Sequence, residues 1–139
     1  MAVQTVIREE NLLANVVERG AQLESLLRAR LLSKTSPAAP YVHEIRGGGL
    51  FWGIEFNFNE RIDEALKVLR FGMRLQMRTF EKGLLVMGFG RFPDLPGDHI
   101  ILAPAYNVTA EEIEVIVKLL VESVEEVIVE VLTLVDSKA

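Results

Sequence analysis

Ile45-Arg46-Gly47-Gly48-Gly49-Leu50-Phe51-Trp52-Gly53-Ile54-Glu55-Phe56-Asn57-Phe58 is the stretch whose reading decides the fold. From Leu50 onward it alternates. Leu50, Trp52, Ile54, Phe56 and Phe58 fall on one side, and Phe51, Gly53, Glu55 and Asn57 on the other. A period of two predicts a strand with one buried face, because successive side chains leave a strand on opposite sides. The glycines at 47–49 precede it. Glycine enters left-handed backbone without a Cβ clash, so the chain is expected to turn here from one strand into the next.

Upstream, Tyr41–Arg46 is expected to be the partner strand. Before it, Leu13, Val16, Val17, Leu23, Leu26, Leu27 and Leu31 recur at helical spacing. Asn11 reads as the cap of that helix, its side chain accepting from free first-turn amides. Val3–Arg8 reads as the end of an earlier helix, and Ser36–Pro40 as the linker after the long one. Downstream, Ile62, Leu66, Leu69, Met73, Met77 and Phe80 mark a further helix, with Met73 and Met77 as core filler. Gly83 ends it in left-handed geometry.

Leu84–Met87 is expected to be a short apolar strand, Gly88–Asp98 a loop, and His99–Ala103 the last strand. Thr109 and Glu112 form a capping box for a final helix. Its stripe comprises Ile113, Ile116, Val117, Leu120, Val124, Val127, Ile128, Val131 and Val135. The expected fold class is α+β, a small antiparallel sheet packed with helices in the order α-β-β-α-β-β-α, one domain over 1–139. No internal repeat or low-complexity tract interrupts it.

Composition narrows the function. A net charge of -5 over 139 residues argues against a nucleic-acid partner, which calls for a basic patch. The absence of cysteine excludes a disulfide scaffold and thiolate metal sites. Met1–Glu10 lacks a basic region followed by an apolar run, and no apolar stretch is long enough to span a bilayer, so a soluble cytoplasmic protein is expected. Hydrophobic residues make up 50% of the chain, enough to suggest surface that expects a partner.

Three segments carry a resemblance. IRGGGLFWGIEF resembles the (D/E)xRGxGLxxGIE signature of the class III aminotransferases, pyridoxal-phosphate enzymes of fold type I. Gly83-Leu84-Leu85-Val86-Met87-Gly88 is similar to the family's GLLVxPxG. GDHIILAPAYNVTAEEIEVIV, from Gly97, resembles the family's GDHxxLxPPxxxTxEEIxxIV. VIREENLLANVVERGAQLESLL looks like the helix that opens the family's small domain. The matches come in family order across nearly the whole chain. The resemblance implies the small C-terminal domain of such an enzyme, without the large domain that binds pyridoxal phosphate (PLP).

In the family, a large-domain lysine holds the cofactor as a Schiff base, and the same domain supplies the phosphate site. This chain shows neither motif, so no catalytic, cofactor-binding or metal residue is expected in it. Lys34, Lys67, Lys82, Lys118 and Lys138 fall on helices, helix ends or the terminus and are expected at the surface, whereas a reactive lysine needs a desolvated pocket or a neighbouring cation.

Arg91 is the single substrate-binding candidate. Some amine transaminases of this class bind a substrate carboxylate with an arginine shortly before the GDH turn, and a guanidinium fork suits that task. The loop from Arg91 to Gly97 is longer than in that pattern, and a solvated loop arginine is the favoured reading. Other members place a carboxylate arginine two residues before APP; here that place is Ile101.

Arg46, at the signature arginine, is expected to be structural. Gly47–Gly49 joins strands and opens no helix, so a turn is preferred over a phosphate cradle. His43 and His99 lack metal-ligand spacing. Asp98 and His99 read as a polar turn entering a strand, and the sequon Asn107-Val108-Thr109 as part of a helix cap.

In the intact enzyme the partner would be the large domain or a second subunit, and the small domain would close over the active site. The competing reading is a free-standing truncated module that self-associates, dimerising or pairing with a full-length relative.

Overall fold

The computed structural model describes residues 2–58, 62, 70–89 and 97–137. Its elements are α1 (Ala2–Glu9), α2 (Leu12–Leu31), β1 (Val42–Gly48), β2 (Phe51–Phe56), α3 (Phe71–Glu81), β3 (Met87–Phe89), β4 (Asp98–Leu102) and α4 (Ala110–Ser137). The strands form one antiparallel sheet in the order β1-β2-β4-β3. The fold is therefore the expected α+β arrangement, and the earlier helix read over Val3–Arg8 is α1.

The central hairpin follows its alternation. Leu50, Trp52, Ile54, Phe56 and Phe58 are all buried, and Phe51 is exposed. Gly48 pairs with Phe51, leaving Gly49-Leu50 as a two-residue loop. Gly49 has φ 53°, a left-handed first loop residue of the kind that matches the twist of the flanking strands. The Trp52 indole Nε1 donates to the Gly49 carbonyl oxygen at 2.8 Å, so the large ring is buried with its polar atom satisfied.

One face of the sheet carries the core. Trp52, Ile54 and Phe56 pair across β2 and β4 with Leu102, Ile100 and Asp98, and all six are buried. Helix α2 packs on β1 and α4, and α3 on β3, β4 and α4. The α4 stripe lies against this core, with only Ile116 less than fully buried. Its capping box forms in both directions: Thr109 N–H donates to Glu112 Oε2 at 2.8 Å, and Glu112 N–H to Thr109 Oγ1 at 3.2 Å.

Several expectations are corrected. Asn11 makes no side-chain cap. It takes left-handed backbone, φ 51°, and lets α1 turn directly into α2. On α2 only Leu23, Leu27 and Leu31 of the predicted stripe are fully buried; Leu13 and Val17 face outward. The first strand starts at Val42, because Ala39–Tyr41 is a 3-10 turn.

Helix α3 presents a different face from the one its spacing predicts. Phe71 and Leu75 are buried, while Met73, Met77 and Phe80 are exposed, at 46%, 64% and 68%. Arg70 adopts φ 50° just ahead of the helix, as its N-cap residue, and Ile62 is helical and buried. Leu66 and Leu69 lie outside the described residues.

Leu84–Val86 is not a strand. After Gly83 (φ 86°), Leu84 N–H bonds back to the Thr79 carbonyl at 2.8 Å and closes the end of α3. Strand β3 begins only at Met87; Gly88 and Phe89, expected in a loop, belong to β3, and Asp98 belongs to β4.

Candidate functional site

The sheet's second face lies away from the helices and carries the domain's exposed chemistry. The registers give its layout. Glu44, Glu55, His99 and Phe89 form one row across the four strands. Arg46, Gly53, Ile101 and Met87 form the next, and Phe51 stands beyond it. His99 stacks on Phe89 with ring centroids 5.0 Å apart.

Arg46 is the one lysine or arginine on this face among the described residues. Its Nη1 lies 2.7 Å from a Glu55 carboxylate oxygen and 2.5 Å from one of Glu44. Hydrogen bonds to Glu55 and then Glu44 raise the guanidinium further above its ordinary pKa. Two carboxylates therefore neutralise this cation from the protein's own side, which agrees with the structural role expected of the signature arginine. Beside it, Ile101 sits between Gly53 and Met87, so this row is apolar at its centre.

Arg91, the sequence-derived substrate candidate, lies outside the described residues, as do Lys67 and Lys138. Lys34 and Lys118 are exposed. Lys82 is half-buried, with its ammonium 2.6 Å from Glu126 and 3.7 Å from Glu122. His43 is exposed on β1, and no group of three or more possible metal ligands occurs among the described residues.

Two features escaped the sequence reading. Asp98, expected in a polar turn, is buried, and its Oδ1 accepts from Gly72 N–H at 3.2 Å. A carboxylate there meets both the free amides and the positive end of the α3 dipole. The second is an ion ladder between α3 and α4. Arg74 reaches Glu130 at 2.6 Å, Arg78 reaches Glu126 at 2.8 Å and Glu130 at 3.0 Å, and Lys82 closes the series on Glu126. Its signal was present in the sequence: cations at 74, 78 and 82 and acids at 122, 126 and 130 each repeat every four residues, which places each set on one helix face.

This geometry sits within a known family. Residues 1–124 match the profile described as "Aminotransferase class-III". The chain belongs to the class III aminotransferases. An uncharacterized aminotransferase of Schizosaccharomyces pombe is 34% identical over 126 residues, covering 89% of this chain and 26% of the relative. A diaminobutyrate–2-oxoglutarate transaminase of Streptomyces avermitilis is 34% identical over 109 residues, covering 78% and 21%. Among solved structures, a transaminase from directed evolution by ancestral reconstruction superposes with a TM-score of 0.71 at 29% identity, covering 91% of this chain and 26% of that one. A Bacillus anthracis aminotransferase, at 24% identity and a TM-score of 0.68, shares the fold.

This class III chain therefore spans about a quarter of the length of the curated relatives it matches. The sheet of the domain, with its helix-covered face and its open face, is the part of the family's architecture that it supplies.

Proposed function

We propose that the chain acts as the small, C-terminal domain of a class III aminotransferase. In the intact enzyme an amino group passes between an amine or amino acid and a keto acid or aldehyde. The domain's share is to close over the active site with the open face of its sheet and to line part of the substrate entrance. The observation that carries this reading is the match of residues 1–124 to the family within a chain a quarter of its relatives' length.

PLP is the family's cofactor, and when bound it supplies the electron sink for amino transfer. The described residues do not fit it. Lys34 and Lys118 are exposed, and Lys82 is committed to two glutamates rather than to a pocket. The glycines at 47–49 serve a hairpin and open no helix onto which a phosphate would sit. The Schiff-base lysine and the phosphate site are assigned to the large domain, and the chain alone is not catalytic.

The open face bears on substrate choice. Where other family members place a carboxylate-binding arginine, this chain has Ile101 beside Met87, and Arg46 is already neutralised by Glu44 and Glu55. An ordinary α-carboxylate is not recognised at that point. Arg91 remains the candidate for one elsewhere.

The test is to titrate the purified chain with PLP, follow internal-aldimine absorbance, and assay amino transfer from several donors. No saturable absorbance and no turnover are expected. A stoichiometric aldimine abolished by mutation of one lysine, together with turnover, overturns the reading. A reading frame ahead of Met1 that codes for a large domain with its lysine would support it directly.

The second reading, a self-associating module, draws on exposed Leu85, Tyr106, Val115 and Val129 and on the outward face of α3. On that reading sedimentation at high concentration gives species larger than a monomer, and a strictly monomeric chain that binds no apolar dye counts against it.

A further inference from the structure

The last third of α4 holds a conflict between sequence and structure. Residues 127–135 read Val-Ile-Val-Glu-Val-Leu-Thr-Leu-Val. Six of the nine, Val127, Ile128, Val129, Val131, Thr133 and Val135, are β-branched. Such side chains lose rotamer freedom in a helix and favour a pleated strand. The segment contains neither proline nor glycine, and its single charge is Glu130. Laid out as a strand, one face would be Val127, Val129, Val131, Thr133 and Val135, entirely β-branched. The other would hold Ile128, Glu130, Leu132 and Leu134. Short segments of this composition stack with copies of themselves into dry cross-β interfaces.

In the folded chain the same residues are helical. Tertiary structure enforces that state. Val127, Ile128, Val131 and Val135 are buried, and Glu130 is held by Arg74 at 2.6 Å and by Arg78 at 3.0 Å. The family match ends at residue 124, ahead of this segment.

We propose that residues 127–135 are a latent self-association segment, which pairs as a β-strand with the same segment of a second copy when the end of α4 comes away from α3. The partner is another copy because an all-β-branched face is complementary to itself and Glu130 is the only residue in the segment that would repel a stacked neighbour. The ion ladder and the buried valines keep the segment helical in the monomer. This inference is independent of the aminotransferase reading.

The test uses the full chain, held a few degrees below its unfolding midpoint, with thioflavin T fluorescence followed over time. Val129 is 52% exposed on the helix, so Val129→Lys is expected to leave the folded state and its far-UV spectrum intact. In a strand the same lysine would charge the β-branched face. Thr133→Lys, also exposed, does the same at a second place. Wild-type chain is expected to form fibrils, with both variants lengthening the lag by about tenfold or more. Hydrogen exchange on the wild-type fibrils should show protection across 127–135. Wild-type chain that forms no fibrils, folded variants that form them at the wild-type rate, or a protected core lying elsewhere each overturn the proposal.

Discussion

Gly72 of α3 and Gly88 of β3 lie backbone to backbone: a Cβ on Gly88 would stand 2.0 Å from the Gly72 carbonyl oxygen, and one on Gly72 would stand 2.3 Å from that of Phe89. Neither obstacle is a side chain that could swing away. The contact seats α3 on the sheet's edge strand, and Gln76 completes it by accepting from Gly88 N–H at 3.0 Å. A three-residue strand thus has its outer edge occupied by a helix, which removes it as a site for pairing with another chain.

Gly88→Ala is accordingly expected to destabilise the fold by about 1–3 kcal/mol, the usual cost of overpacking. Gly48→Ala is the control. Gly48 has open space around the same position, and its effect should stay within about 0.5 kcal/mol. Urea midpoints of the two variants measure the difference; equal midpoints would remove the close contact.

Trp52→Ala is expected to cost about 3–5 kcal/mol, as for other large buried rings. The ring is 4% exposed, on a strand with neighbours on both sides, and truncation also strips the Gly49 carbonyl of its indole donor. An unchanged denaturation midpoint would contradict its central place in the core.

The parts of this fold that were legible in the sequence are those in which one residue's chemistry decides its neighbourhood. The β2 alternation, the left-handed Gly83 and the Thr109–Glu112 box each use a local rule, and each holds. The misreadings fall where tertiary contact decides. Nothing in the composition around Arg70 announces a positive φ, and the helix that starts after it buries Phe71 and Leu75 rather than Met73 and Met77. Met87–Phe89 pairs with β4 while Gly88 lies against Gly72 of α3, sixteen residues away in the chain. Asp98 resembles any polar turn residue until the amide of Gly72 is placed beside it. Of the site, Ile101 and Arg46 were legible through the family pattern, whereas the neutralising pair Glu44 and Glu55 required the strand register.

The ion ladder has a pH signature. Lys82 first, and then Arg78, hold the Glu126 carboxyl below its ordinary pKa through hydrogen bonds. A carboxyl lowered in the folded state contributes stability that is fully present above its unfolded pKa, about 4.3 for glutamate. That contribution is lost as the pH falls through the folded value. Glu126→Gln should therefore be less stable than wild type at neutral pH, with the gap closing on acidification below pH about 4. The pair is partly solvent-exposed, so the gap should be small and should shrink with added salt. Chemical denaturation of both proteins across pH in low-salt buffer measures it; a constant gap at every pH would detach Glu126 from the ladder's stability.

The phase of α3 gives the sharpest contrast between two apolar residues two positions apart. Leu75 is fully buried, and Leu75→Ala should cost about 2–5 kcal/mol through lost transfer energy and the cavity left behind. Met77 is 64% exposed on the opposite side of the helix. Met77→Lys exchanges one good helix former for another and should change stability by no more than about 0.5 kcal/mol. The spacing of Ile62, Met73, Met77 and Phe80 predicts the reverse order, with Met77 inside. Thermal midpoints of the two variants decide between the faces. If Met77→Lys unfolds the domain while Leu75→Ala is tolerated, the helix sits on its methionine stripe.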